Sequence, residues 1–148
     1  YKSADLWKAK GTKLYTLEGT NTRPTLDRVK ESIFNIIQNE IQESFFLDLF
    51  SGSGAIGLEA ASRGAKEVIL CEKNKSAIEI IKKNIEKTHL KEKVEWGMLP
   101  YVQAMLLARY LRGDLDGYPV FLWKWGKLLC SYLSHMMLIQ KLYQEKNG

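Results

Sequence analysis

Residues 45–64, FFLDLFSGSGAIGLEAASRG, decide the fold of this chain. Phe45 to Phe50 is an apolar run of strand length that only Asp48 interrupts. Gly52 to Gly57 has the spacing G-x-G-x-x-G, and good helix formers lead from it to Gly64, a residue typical of helix C-caps. The order of strand, glycine loop and helix predicts the first unit of a nucleotide-binding α/β fold.

A second apolar run supports this interpretation. It extends from Val68 to Cys71 and ends at Glu72, about twenty residues after Gly52. In nucleotide-binding folds, an acid at the end of the second strand accepts hydrogen bonds from ribose hydroxyls. The pattern therefore predicts a bound nucleoside, and a glycine turn that binds nothing is the alternative.

Asp48 separates two classes of cofactor. A pyrophosphate over the helix N-terminus, as in dinucleotide sites, would meet a like charge at this carboxylate. A ligand with a free ammonium group would instead be attracted to it. S-adenosylmethionine carries an ammonium, a sulfonium and a ribose but no phosphate, so we expect it as the cofactor. A nicotinamide or flavin cofactor is the alternative.

We expect one domain for a chain of 148 residues. It divides into an N-terminal arm or hairpin at 1–22, a cofactor-binding core at 23–96 and an atypical C-terminal part at 97–148. All four methionines lie in that last part, and Glu145 is its one glutamate. The expected fold class is α/β and Rossmann-like, with a mostly parallel central sheet, helices on both faces and an N-terminal β-hairpin. A truncated or divergent C-terminus is an open alternative.

Composition narrows the partners and the location. A net charge of +5 and a pI of about 9.1 are compatible with a nucleic-acid partner. Cys71 and Cys130 have neither metal nor redox spacing, which favours reduced thiols, no metal and a cytoplasmic location. The first residues lack the apolar region of a secretory signal. Leu128 to Leu142 is too short for a membrane span and indicates a buried helix.

Two further helices are expected around the core. Thr25 is placed to cap the first, whose apolar stripe would pack inward. Asn74 is placed to cap the second, which would end near His89 with Glu79 and Lys83 paired on its outer face. The stripe of the first helix consists of Leu26, Val29, Ile33, Ile36 and Ile37. Further short strands are expected at 94–96 and 120–123.

The segments NTRPTLDRVKESIFNII and LDLFSGSGAIGLEAASRGAKEVILCEKN resemble the bacterial 16S ribosomal RNA guanine-N2 methyltransferase family. The similarity covers about residues 8 to 95 and includes GTKLYTLEG, which resembles that family's N-terminal hairpin. It implies S-adenosylmethionine as the methyl donor and a guanine amine of the small ribosomal subunit as the acceptor. No membrane partner is implied.

The resemblance also implies roles for individual residues. The implied cofactor-binding set is Asp48, Ser51, Gly52 and Gly54 around the methionine and ribose, Glu72 on the ribose, Lys73 beside the adenine, and Arg23 with Thr25 closing the pocket. For Arg23 and Thr25, a helix start with an ordinary cap is the alternative.

The family's catalytic motif, Asp-Pro-Pro-Tyr at the end of the fourth strand, has no counterpart in this chain. In the family it would hold the guanine amine through carboxylate and carbonyl acceptors and stack on a flipped base. Residues 116–119, read as Asp-Gly-Tyr-Pro, lie at about the expected distance with the residue types in another order. Asp116 and Tyr118 are therefore the catalytic candidates, and an ordinary loop turn is the alternative.

Three explanations of the missing motif stay open. The chain could bind the donor and methylate poorly, or act as a donor-binding or RNA-binding module without activity. It could methylate a small molecule or a protein, because the fold alone does not fix the acceptor. Or the sequence from about residue 97, and the first seven residues, could differ from the natural reading of the gene, for instance through a frame slip.

Overall fold

The structure is a computed structural model that describes residues 12–17, 24–124, 127–131, 143–144 and 146–147. Its centre is a five-stranded sheet in the order β3-β2-β1-β4-β5. The first four strands in that order run parallel, and β5 is antiparallel to β4. The strands are β1 (Phe45–Asp48), β2 (Glu67–Cys71), β3 (Val94–Gly97), β4 (Val120–Lys124) and β5 (Lys127–Ser131). The expected α/β class with a mostly parallel sheet is confirmed.

Five helices between residues 24 and 111 accompany this sheet, and the core lies in two layers. Phe46 of β1 belongs to one buried cluster with Leu58 and Ile81, and Leu47 belongs to a second with Val102 and Leu106. Because neighbouring strand residues point to opposite faces, β1 is buried on both sides. The helices are α1 (Pro24–Ile36), α2 (Gln38–Ile41), α3 (Ala55–Ser62), α4 (Lys75–Thr88) and α5 (Leu99–Leu111).

The predicted stripe of the first helix is correct only in part: Ile37 packs against the core and Ile33 is half-buried, but two other members are exposed. Val29 is 50% exposed and Ile36 is 81% exposed, whereas Phe34, outside the stripe, is fully buried. The ring of Phe34 packs 6.0 Å from that of Phe46, so α1 meets the core through the side chain that buries the most apolar area. The helix also begins at Pro24, so Thr25 lies inside its first turn rather than before it.

The second expected helix is confirmed in its boundaries but not in its ion pair. Asn74 accepts hydrogen bonds from the backbone of Ser76 and Ala77 and so caps α4. Glu79 pairs with Lys82 at 3.1 Å rather than with Lys83. Both spacings place the partner on the same helix face, and periodicity alone does not choose between them.

Two predictions at the ends of the chain are not supported. Residues 128–131 belong to strand β5, not to a buried helix, because they extend the sheet beside β4. Residues 132–142 of that predicted helix lie outside the described residues. The N-terminal hairpin is not shown: residues 12–17 form no regular element, and the rest of 1–22 lies outside the described ranges.

Gly57 lets α3 approach β2 closely. A Cβ at this position would lie 2.2 Å from Leu70 Cδ2 and 2.9 Å from Val68 Cγ1. We expect Gly57→Ala to lower the free energy of unfolding by about 1–3 kcal/mol, since overpacking exceeds the gain in helix propensity. Denaturant titration measures the change.

The control for this prediction is the double variant Gly57→Ala/Leu70→Ala, which removes the side chain that the new methyl would strike. Its loss of stability should be clearly smaller than the sum of the two single losses. Additive losses would mean that the helix does not need a glycine to pack on β2.

Candidate functional site

The carboxyl ends of β1 and β2 bring the predicted glycine loop and the two predicted acids together. Ser51 N–H donates to the carbonyl of Cys71 at 3.1 Å, which joins the loop to the end of β2. Gly52 N–H donates to Glu72 Oε2 at 2.9 Å. Asp48 is the last residue of β1 and directly precedes this loop. The site therefore lies at the carboxyl ends of parallel strands, which is where nucleotide ligands bind in such sheets.

Two glycines give the loop its shape. Gly52 has φ of 55° and Gly54 has φ of 82°, a left-handed conformation that costs glycine little. Gly54 N–H donates to the Ser51 carbonyl at 2.7 Å, and the Ser51 hydroxyl donates to the Asp48 carbonyl at 3.0 Å. A Cβ at Gly52 would meet no atom within 4 Å, so the space over the loop is open to a ligand.

Asp48 is a buried carboxylate without a hydrogen-bond partner. Its side chain is 1% exposed, and neither oxygen has a partner among the described residues. Burial raises the pKa of Asp48 to about 7, and the charge of Glu72 adds to the rise. The backbone N–H groups of Phe50 and Gly57 oppose it, because they face the carboxylate although neither completes a hydrogen bond of ordinary geometry. Such a group is suited to a ligand that brings both a donor and a positive charge.

Glu72 holds the two loops of the site together. Besides Gly52 N–H on Oε2, its Oε1 accepts from Lys73 N–H at 2.8 Å and from Asn74 N–H at 3.0 Å. A carboxylate offers about four acceptor positions, so one remains for a ligand. The expectation that Glu72 accepts two ribose hydroxyls would require one of these backbone bonds to be exchanged.

The buried thiol of Cys71 lies beside both acids. Its pKa is raised to about 11 by burial and by the negative charges of Glu72 and Asp48. A thiol with so high a pKa is a poor nucleophile at neutral pH. The site thus offers acceptors, not a nucleophile.

The remaining predicted residues are not all brought to this site. Lys73 adjoins it, with an exposed side chain. Arg23 and the side chain of Thr25 lie outside the described part of the structure. Asp116 and Tyr118 precede β4 and so lie at the amino ends of the parallel strands, whereas the glycine loop is at their carboxyl ends. The Tyr118 ring packs 5.6 Å from that of Phe45, the first residue of β1.

Two buried polar residues were not predicted, and one of them, Asn84, contacts the glycine loop. Asn84 donates to the carbonyl of Ser53 in the glycine loop at 2.9 Å. Arg63 is 1% exposed and binds Glu59 and Asn35, each at 2.9 Å, which ties the end of α3 to α1. The signal for Asn84 was present, since an amide interrupts the inward apolar stripe of α4; nothing in the local pattern marks Arg63 as buried.

A wide groove in the described surface lies elsewhere. It has a volume of about 680 Å³ and follows the edge strand β3, between Lys82 and Glu86 of α4 on one side and Trp96 and Tyr101 on the other. It is lined by none of Asp48, the glycine loop and Glu72, and its charges are mixed. We place the candidate site at the loop because the unsatisfied carboxylate is there.

Within the described ranges, no group of three or more His, Cys, Asp or Glu side chains could hold a metal ion. In the same part of the chain, every helix is too short or too polar to cross a bilayer.

The family model described as Conserved hypothetical protein 95 matches residues 7–108. The chain belongs to this family. Ribosomal RNA small subunit methyltransferase D of Haemophilus influenzae is 46% identical over 83 residues, which are 56% of this chain and 42% of that protein. The resemblance to the 16S RNA methyltransferase family is thereby confirmed. The chain spans less than half the length of this relative.

Solved structures agree on the fold. A hypothetical protein of Thermus thermophilus superposes with a TM-score of 0.57 at 27% identity, covering 78% of this chain and 81% of that one. The SAM Dependent Methyltransferase from Agrobacterium tumefaciens superposes with a TM-score of 0.50 at 20% identity, covering 84% of this chain and 41% of the other. At that identity the second likeness concerns the fold alone.

A shorter match points to a different class of protein. CRISPR-associated endonuclease Cas1 2 of Rhodospirillum rubrum is 51% identical over 45 residues, which are 29% of this chain and 13% of that protein.

The raised pKa of Asp48 predicts a pH-dependent cost to the fold. In the unfolded chain the carboxyl ionises near its ordinary pKa of 3.8, and in the fold only near 7. The contribution of the neutral Asp48 carboxyl to the free energy of unfolding is therefore fully present below about pH 4 and is lost as the pH rises through about 7. We expect Asp48→Asn to raise the free energy of unfolding by roughly 1–3 kcal/mol at pH 8 and by almost nothing at pH 4.

Denaturant titrations at the two pH values measure this difference. Asp116→Asn, which removes an exposed carboxyl far from the site, is the matched control and should be nearly neutral at both. Equal behaviour of the two variants at pH 8 would contradict the prediction.

Proposed function

We propose that this protein is an S-adenosylmethionine-dependent methyltransferase whose acceptor is the exocyclic N2 of a guanine in 16S ribosomal RNA. The observation that carries the donor assignment is Asp48, a buried carboxylate with two unpartnered oxygens beside an open glycine loop. Such a carboxylate lowers the stability of the fold unless a ligand brings a positively charged hydrogen-bond donor to its oxygens.

The residues present fit the donor molecule. Asp48 would accept from its ammonium, the backbone at Gly52 and Gly54 would allow close approach, and Glu72 has one acceptor position for a ribose hydroxyl. Lys73 would flank the adenine, and Arg23 and Thr25 would close the pocket, as the family resemblance implies. The bound donor supplies a methyl group on a positively charged sulfur. This chain's residues would contribute orientation more than acid–base chemistry.

The acceptor assignment rests on family membership and on the name of the H. influenzae relative. In register, Trp123 of β4 stands beside Asp48, and Lys124 follows it. These residues occupy the strand end where the resemblance would place Asp-Pro-Pro-Tyr, and neither offers a carboxylate for the guanine amine. We assign Asp116 and Tyr118 no part in the reaction because they lie at the amino ends of the strands, away from the glycine loop. Turnover by this chain should therefore be low.

A second candidate function follows from the same strand end: a donor-binding module that transfers no methyl group. It shares the donor site with the first and differs only in the outcome of a transfer assay. Transfer to a small molecule or protein is the third outcome that such an assay would detect.

Donor binding is tested with S-adenosylhomocysteine by calorimetry. We expect binding by the wild type, and a loss of more than tenfold in affinity for Asp48→Asn, since a charged hydrogen bond is removed. Asp116→Asn should bind like the wild type. Unchanged affinity in Asp48→Asn would refute the assignment of this carboxylate.

Transfer is tested with labelled donor and small ribosomal subunits that lack the modification. We expect slow labelling of guanosine N2, abolished in Asp48→Asn. Label on another nucleoside, on protein or on a small molecule would replace the proposed acceptor. Binding without any transfer would establish the silent module.

The origin of the C-terminal part is tested on the coding DNA. The compositional change after residue 97 leads us to expect a junction near that codon. Long reads across the locus, together with the intact mass of the protein, measure it. One uninterrupted frame encoding all 148 residues in the source genome would remove this explanation.

A further inference from the structure

Asn84 of α4 connects two segments that are far apart in sequence. Its side chain is fully buried. Its Nδ2 donates to the carbonyls of Ser53 at 2.9 Å and Tyr15 at 3.0 Å, and its Oδ1 accepts from Tyr15 N–H at 2.7 Å. The orientation of the amide follows from its partners, because two carbonyls need donors and one N–H needs an acceptor.

One of these bonds fixes the glycine loop. Ser53 lies between Gly52 and Gly54, the two left-handed residues that give the loop its shape. Glu72 holds the loop from one side through Gly52 N–H, and Asn84 holds it from the other through the Ser53 carbonyl. Breaking the second hold would free the part of the loop that a ligand must approach.

The other two bonds fix the arm, residues 12–17. Both backbone groups of Tyr15 bind Asn84, in the manner of a strand partner, although the arm has no regular structure. Lys87, one turn further on, donates to the carbonyl of Lys13 and lies 4.6 Å from the centre of the Tyr15 ring. Leu14 packs against the core. The side chains of Lys13, Tyr15 and Thr16 are exposed, so the arm lies at the surface, where local opening costs least, and we expect its docking to be reversible.

We propose that Asn84 is a positioning residue that couples docking of the arm to the shape of the glycine loop, so that donor binding and arm docking stabilise each other. This inference rests on the proposed donor site. If the arm leaves, Asn84 loses two partners in a buried setting and its hold on Ser53 is no longer constrained. Because coupling between two binding events is reciprocal, a ligand on the loop must then favour the docked arm.

The test follows hydrogen exchange at Tyr15 N–H with and without saturating S-adenosylhomocysteine. Tyr15 bonds Asn84 rather than the glycine loop, yet its exchange in the wild type should slow about tenfold on binding. In Asn84→Ala the affinity for the analogue should fall about five- to tenfold, and binding should no longer slow exchange in the arm. Asn84→Asp keeps the acceptor for Tyr15 N–H but loses the N–H donors to Ser53 and Tyr15, and it should show the same loss of affinity. It replaces Asn84→Ala in the test if that variant folds poorly.

Thr88→Ala is the matched control, because the Thr88 hydroxyl is buried in the same helix and bonds only the carbonyls of Asn84 and Ile85. It should lower the unfolding temperature while leaving affinity and coupling intact. Wild-type binding without any change in Tyr15 exchange, or equal affinity in the Asn84 and Thr88 variants, would overturn the inference and leave the proposed function standing. Absence of binding in the wild type would overturn both.

Discussion

The site depends on one carboxylate, Glu72, whose three described hydrogen bonds all come from backbone N–H groups. Glu72 accepts from Gly52 in the loop after β1 and from Lys73 and Asn74 in the turn after β2. These three bonds join two loops that lie close together because both follow the carboxyl ends of neighbouring parallel strands. The spacing of about twenty residues between glycine and acid is therefore a structural requirement as well as a mark of ribose recognition.

Holding the loop in this way has an electrostatic consequence. Glu72 keeps a negative charge near Asp48, and burial of β1 removes water from it, so both effects oppose ionisation of Asp48. A site that is ready for a cation is thus a site that destabilises the empty protein. The burial that would suit Asp48 to a cationic ligand thus lowers the stability of the fold, a conflict that is common where binding groups are buried.

The sequence predicts β1, the glycine loop and the elements beside it well and the rest poorly, for identifiable reasons. β1, the glycine loop, α3 and the Asn74 cap rest on local signals that any tertiary context preserves. The inward face of α1 does not: Phe34 is buried and Val29 and Ile36 are exposed, because Phe34 packs against Phe46 of β1. The partners of Asn84 are 31 and 69 residues away, and no local pattern encodes such distances. Strand β5 gains its identity only from pairing with β4.

β4 shows why the fold persists where the catalytic motif does not. To complete the sheet, the strand needs only apolar side chains on its two faces, and Val120, Phe121 and Leu122 are all buried there. To supply a carboxylate and a stacking ring it would need particular residues at its end, where Trp123 and Lys124 stand. Many sequences satisfy the first condition and few satisfy the second. A segment of unrelated origin could therefore take the place of β4 without disturbing β1, β2 or the loop between them. For this reason the residues that complete the sheet and the residues that would carry chemistry at the end of β4 are set independently, and an intact sheet does not imply a catalytic motif.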